Sequence, residues 1–256
     1  NMMGWDLTIP QAISHAEKYN YDGKLISREL DGSIKETTYG ESIKRSKKLA
    51  NALSKLGINL HDRVATIAWN NSRHFETYFG VSGMGAVLHT LNPRYSPAQL
   101  VYILNHAEDK VLIIDPTFIP LVEGVQDQLN FVETIIIAAE KSSIPDNSLN
   151  NSCSYDDLLE QESSEYQWPD LSEDTSSALC YTSGTTGNPK GVLYSHRSTI
   201  LHAISIAGTM GFESSSAVLP VVPMFHVNAW GVPYSALING FTSVSYTHLR
   251  AHETLD

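Results

Sequence analysis

Cys153 and Cys180 are the only two cysteines in this 256-residue chain. Neither sits in a CxxC pair or a Cys/His cluster, so no zinc site is signalled. The scarcity favours free thiols in a reducing compartment over a single disulfide. Positive charge is also sparse, with 17 Lys and Arg against 28 Asp and Glu and a formal net charge of −11. That balance disfavours non-specific binding to nucleic acid or to anionic membranes, while leaving room for a local basic site facing a phosphate. No apolar run approaches the roughly 20 residues of a membrane-spanning helix. The stretch NMMGWDLTIPQAISHAEKYN has neither the basic region nor the apolar core of a secretory signal. Together these absences predict a cytoplasmic chain with no integral membrane span and no nucleic-acid partner.

What is present is a globular pattern, 42% hydrophobic and 18% charged. Thr38 and Glu41 have the spacing of a capping box, with Ile43, Ala50, Leu53 and Leu56 following at helical spacing and Gly57 as a stop. The basic run from Lys44 to Lys48 on that helix reads as a solvated face. From there the pattern alternates. Strands are predicted at 63–69, 86–92, 110–115 and 133–139, and helices at 72–85, 96–107 with Pro97 in the first turn, and 116–129. Near-continuous apolar strands separated by helices predict an α/β fold with a mostly parallel sheet covered on both faces. Gly83 and Gly85 only weakly echo a dinucleotide fingerprint, because they precede a strand instead of following one. Residues 140–176 turn polar and acidic and read as a surface excursion with one short helix near 155–160. A second sheet is predicted to begin with 177–182, 192–195 and 217–222.

The densest chemistry lies in YTSGTTGNPKGVLYSH, residues 181–196. A strand feeding a loop of glycines and hydroxyls, followed by a lysine, is a phosphate-binding arrangement. Gly184 and Gly187 let backbone N–H groups approach an anion. Thr182, Ser183, Thr185 and Thr186 can donate to phosphate oxygens or ligate Mg²⁺, and Lys190 supplies a point charge. The pattern is not a Walker A loop, since Gly187 and Lys190 are separated by Asn188 and Pro189 and Gly191 follows the lysine. The GVLYSH that follows reads as a second strand, so Ser183–Pro189 is expected as the exposed tip of a hairpin.

These residues closely resemble the signature of the acyl-adenylate-forming, or AMP-binding, superfamily. Two further patches agree: LNPRYSPAQLVYILNHAEDKVLIID at 91–115 and PVVPMFHVNAWGVPYSA at 220–236. Their wording is closest to medium- and long-chain fatty-acyl-CoA synthetases and to the related 3-methylmercaptopropionate-activating synthetases. The resemblance implies the N-terminal part of the adenylate-forming fold. It also implies ATP, Mg²⁺ and CoA as cofactor and co-substrates, a fatty acid or similar carboxylate as substrate, and a homodimer in the whole protein. A carboxylate attacks the α-phosphate of ATP to give acyl-AMP, and the CoA thiol then displaces AMP. By resemblance Thr182 is a Mg²⁺ ligand, and His226, Val227, Asn228 and Trp230 line the acyl and adenylate pocket, with Trp230 as a gate. A helix starting near Asn228 would set Trp230 one turn from His226.

Several family features are not found in the sequence: the Tyr-Gly-x-Thr-Glu motif, the ribose-binding Asp and the C-terminal domain with its catalytic Lys. The expected organisation is therefore a truncated AMP-binding domain over 1–244 and a tail over 245–256 outside the family pattern. The chain alone is expected to bind nucleotide weakly and not to turn over. The other reading is a non-catalytic nucleotide- or phosphate-binding chain.

Overall fold

The computed structural model describes residues 4–29, 32–182 and 188–246. Helix α1 (Ile9–Tyr19) leads into a hairpin of β1 (Lys24–Arg28) and β2 (Ile34–Thr38), then α2 (Tyr39–Lys55), β3 (Arg63–Ile67), α3 (Ser72–Gly83), β4 (Val87–Thr90) and α4 (Pro97–Ala107). Next come β5 (Asp109–Ile114), α5 (Ile119–Glu123), β6 (Thr134–Ile137), β7 (Ser152–Ser154) and α6 (Tyr155–Glu160). The chain continues through β8 (Ser176–Thr182), β9 (Lys190–Ser195), α7 (His196–Met210), β10 (Ala217–Val218), α8 (Val232–Asn239) and β11 (Thr242–Ser245). Among the described residues, one sheet has the order β7-β6-β5-β3-β4-β8-β9 and a smaller one β10-β11-β1-β2. The larger sheet is parallel throughout except for β9, which runs antiparallel to β8.

The period-2 alternation of the strands sorts their side chains into two cores. Val64, Leu88, Val111 and Ile136 face α1, α2, α3 and α8, while Ala65, Leu112, Ile114 and Ile135 face α4 and α5. Helix starts follow their caps. Thr38 accepts from the Glu41 N–H while the Glu41 carboxylate accepts from the Thr38 N–H, and Ser96 and Gln99 repeat that box at α4. Gly83 and Gly85 serve packing: a Cβ on Gly83 would meet the Trp168 ring at 2.7 Å, and Gly85 holds φ +91 before β4. Both cysteines are free thiols. Among the described residues no helix is long and apolar enough to cross a membrane.

The structure corrects several expectations. The 116–129 helix is broken into short 3-10 turns at Pro116–Phe118 and Gln126–Gln128 around α5. Pro120 has no N–H to donate to the Pro116 carbonyl and its ring would clash with it. No second sheet starts at 177. Strand β8 pairs with β4 and extends the first sheet, while β10 joins the other. The stretch 140–176 does not stay at the surface, because β7 pairs with β6 and α6 buries Tyr155 and Leu159 in the main core. Ser245, assigned to the tail, is buried in β11 opposite Ser27, and residues 247–256 lie outside the described residues.

Lys44 is exposed as expected, but the rest of the basic run on α2 is not a solvated face. Arg45 donates to Glu76 on α3 (2.7 Å) and to Asp156 on α6 (2.6 Å), Lys47 pairs with Glu17 at 2.6 Å, and Lys48 donates to the Leu159 carbonyl. Arg73 bridges Asp156 and Glu29 at 2.7 and 3.0 Å. These pairs clamp α2, α3 and α6 together, which the sequence could not show because the carboxylates come from elements far along the chain.

Candidate functional site

The strand order reverses at β3, with β4 on one side and β5 on the other. In open α/β sheets, ligands bind outside the carboxyl ends of the strands at such a switch point. Strands β3, β4, β5 and β8 are parallel, so the segments leaving them after Ile67, Thr90, Ile114 and Thr182 share one edge.

The floor of that edge is a set of buried polar side chains. Asp115, just past β5, accepts from the Trp69 N–H (2.6 Å) and from Asn71 Nδ2 (3.1 Å), while Asn71 Oδ1 caps α3. Burial raises the Asp115 pKa to about 7 against the pull of these donors. His74 donates from Nδ1 to the Trp69 carbonyl and accepts at Nε2 from Thr66. Burial lowers its pKa to about 4, so it is a neutral, satisfied core histidine. Sequence reasoning passed over Asp115; the signal was a carboxylate closing the apolar run KVLII.

The 220s segment docks onto this floor. Met224 N–H donates to Asn70 Oδ1 (2.7 Å) and the Tyr78 hydroxyl donates to the Met224 carbonyl. The chain then enters a turn in which Val227, Asn228, Ala229, Trp230 and Gly231 all hold positive φ, from 41° to 71°. A helix starting at Asn228 does not form, and α8 begins only at Val232. Pro233 could not donate to the Ala229 carbonyl and its ring would clash there. Left-handed backbone costs roughly 1–2 kcal/mol per side-chain-bearing residue, so the turn must be held from outside. Asn228 Oδ1 accepts from Thr90 Oγ1 (3.3 Å) and from Cys180 Sγ (3.6 Å), stitching the turn to the ends of β4 and β8. Burial pushes the Cys180 thiol up, which keeps it protonated as a donor.

Beside the turn lies a cavity of about 470 Å³ lined by Tyr194, His202, Val227, Asn228, Trp230 and Tyr234, among others. Three of the four residues assigned to an acyl and adenylate pocket therefore line one cavity. Trp230 is 59% exposed at the turn. His226 is exposed at the head of the turn and is not in the lining.

The loop grows from the same edge. Tyr181 is anchored on both sides: its carbonyl accepts from the Tyr95 hydroxyl (3.1 Å) and its own hydroxyl meets His106 Nδ1 (2.6 Å). Thr182 is exposed at the end of β8, and its hydroxyl donates to the Lys190 carbonyl at 3.4 Å. Asn188 and Lys190 are exposed, whereas Pro189 is buried and so is not part of an exposed tip. Ser183, Gly184, Thr185, Thr186 and Gly187 lie outside the described residues. No cluster of His, Cys, Asp or Glu among the described residues could hold a metal ion. The Thr182 hydroxyl retains lone pairs for a Mg²⁺, which commonly keeps several waters and takes its other ligands from substrate phosphates. One hydroxyl fits that role as a single ligand, not as a cage.

The AMP-binding enzyme family model matches residues 15–255. The chain belongs to this family. Among its relatives, the 3-methylmercaptopropionyl-CoA ligase of Ruegeria lacuscaerulensis is 46% identical over 241 residues, 93% of this chain and 45% of the relative. A medium-chain-fatty-acid–CoA ligase of Ectopseudomonas oleovorans is also 46% identical, over 93% of this chain and 44% of its own. This AMP-binding chain thus spans less than half the length of the relatives it matches. The same fold occurs in the anthranilate CoA ligase AuaEII bound to anthranoyl-AMP, with TM-score 0.85 and 21% identity over 96% of this chain and 46% of that one. It also occurs in the N-terminal domain of FACL13 from Mycobacterium tuberculosis, with TM-score 0.84 and 24% identity over 96% and 59% of the two chains.

Proposed function

We propose that this chain supplies the phosphate loop and the acyl pocket of an ATP-dependent, AMP-forming CoA ligase for a medium- or long-chain fatty acid or a related carboxylate such as 3-methylmercaptopropionate. The Asn228 stitch carries the reading. It joins an apolar cavity to the strand from which the loop departs, so a carboxylate seated in the cavity would point at a nucleotide held by the loop. One carboxylate oxygen attacks the α-phosphorus, the α–β bridging bond breaks, and pyrophosphate leaves with its electron pair. The CoA sulfur then forms the thioester and releases AMP. Lys190 would neutralise charge on the departing phosphates. Ser183, Thr185 and Thr186 would donate to their oxygens, and Gly184 and Gly187 would let the backbone approach. Bound Mg²⁺ would supply further charge neutralisation, with Thr182 as a ligand. Positioning and electrostatics are the main work of such a site.

Lys190→Ala, placed in a full-length ligase carrying this hairpin, tests the assignment. A charge-assisted contact of about 1.5–3 kcal/mol corresponds to acyl-AMP formation about 10- to 100-fold slower. Thioester formation from supplied acyl-AMP should be nearly unchanged. Equal losses in the two half-reactions would make Lys190 structural.

Trp230→Ala in the same setting should alter acyl-chain preference or the KM for the carboxylate more than the KM for ATP, because Trp230 lines the cavity read as the acyl pocket. Weaker ATP use with an unchanged chain preference would remove Trp230 from the pocket.

A further inference from the structure

The Val227–Gly231 turn is a run of left-handed residues held at two places. One hold is buried: Asn228, tied to Thr90 and Cys180. The other is a single side chain from a different helix. His202 on α7 meets the Trp230 carbonyl at 2.9 Å through Nε2. A carbonyl only accepts, so the imidazole carries its proton on Nε2 and donates it. Gly231 packs against the same ring, where a Cβ would lie 2.8 Å from His202 Cδ2, and its φ is +71. The imidazole thus touches the last two residues of the turn.

Core packing does not explain His202. It is exposed, on a stretch of α7 where Leu201 and Ile204 are exposed as well. What its ring does contact is the backbone that carries Trp230 and one wall of the cavity.

We propose that His202 is a positioning residue that keeps the Val227–Gly231 turn wound and so sets which carboxylates the cavity admits. The second half of this statement rests on reading the cavity as an acyl pocket. Without the Nε2–H donor, the Trp230 carbonyl loses its hydrogen bond to α7, and the packing of Ala229 and Val232 is left to hold that end of the strained turn wound. Trp230 would then leave its fixed place beside the cavity, and discrimination by chain length would fall.

The test uses this chain with His202→Ala and His202→Gln, each checked for an unchanged far-UV circular dichroism spectrum. Glutamine places an amide N–H donor near the position of Nε2. Hydrogen exchange of a peptide covering residues 226–234 should be about tenfold faster in His202→Ala and return close to the original rate in His202→Gln, while β3 peptides stay unchanged. Displacement of a fluorescent fatty acid by octanoate and by palmitate gives the second readout, and the ratio of the two affinities should shift by about tenfold in His202→Ala only. Unchanged exchange in His202→Ala, or no recovery in His202→Gln, overturns the hold on the turn. An unchanged affinity ratio in a chain that does bind both acids overturns the effect on selectivity. If the unaltered chain binds neither acid while the exchange results hold, the acyl-pocket reading fails and the role of His202 in the turn stands.

Discussion

Glu76→Ala is expected to destabilise the fold by about 3–5 kcal/mol, the usual consequence of removing one partner of a buried ion pair. Glu76 is 1% exposed on α3 and accepts from Arg45 Nε at 2.7 Å and from the Tyr155 hydroxyl at 2.9 Å. Truncation leaves the Arg45 guanidinium with Asp156 as its remaining carboxylate and strips a fully buried tyrosine hydroxyl of its acceptor. Such a loss is a large share of the roughly 5–15 kcal/mol that stabilises a domain. Urea unfolding of the variant measures it, and a double-mutant cycle with Arg45→Met isolates the pair. The double variant should lose less than the sum of the single losses, because each single change already removes the Arg45–Glu76 contact and leaves the other group short of that partner. A loss below about 1 kcal/mol would mean that the α2–α3–α6 clamp contributes little to stability.

Asp115 should make stability fall as pH rises, opposite to the usual behaviour of a carboxylate. Burial raises its pKa from 3.8 to about 7 in the folded chain. Between those values the folded state holds a proton that the unfolded state has released, so the stabilisation is full below about pH 4 and is lost as pH rises through about 7. The difference corresponds to roughly 4 kcal/mol. Other buried groups have their own pH dependence: His74 and His196, with pKa values lowered to about 4, stay neutral in the fold and oppose folding as pH falls below their unfolded value. Comparison with Asp115→Asn removes these shared contributions. The unfolding free energy of the chain relative to this variant should drop between pH 5 and pH 8. A gap that is the same at both values would show that Asp115 is ionised in the fold across that range.

Much of the scaffold was legible because it depends on local chemistry. The capping boxes at Thr38 and Ser96 start helices through contacts three residues apart, and the apolar strands of 63–137 announce a covered parallel sheet by composition alone. The β8–β9 hairpin was legible in the same way. The tripeptide Ser152–Ser154 was not, since a polar edge strand has no periodicity and becomes a strand only when β6 offers its open edge. The break at Pro120 and the late start of α8 before Pro233 were within reach of the sequence, because each follows from a missing N–H.

The sequence by itself determined the family, the strand that carries the loop, the candidate phosphate residues and the presence of Val227, Asn228 and Trp230 in one motif. Those are matters of residue type and short spacing, where backbone geometry leaves few choices. Only the tertiary structure decided that Asn228 bonds Thr90 and Cys180, that the motif winds left-handed, that Arg45 faces Glu76 and Asp156, and that Asp115 is buried beneath the site. Each of these joins residues from different elements, mostly far apart along the chain. Their positions follow from the order of strands in the sheet, which no local pattern encodes. The pKa of Asp115 and the strain in the turn are set by the surroundings that this order assembles.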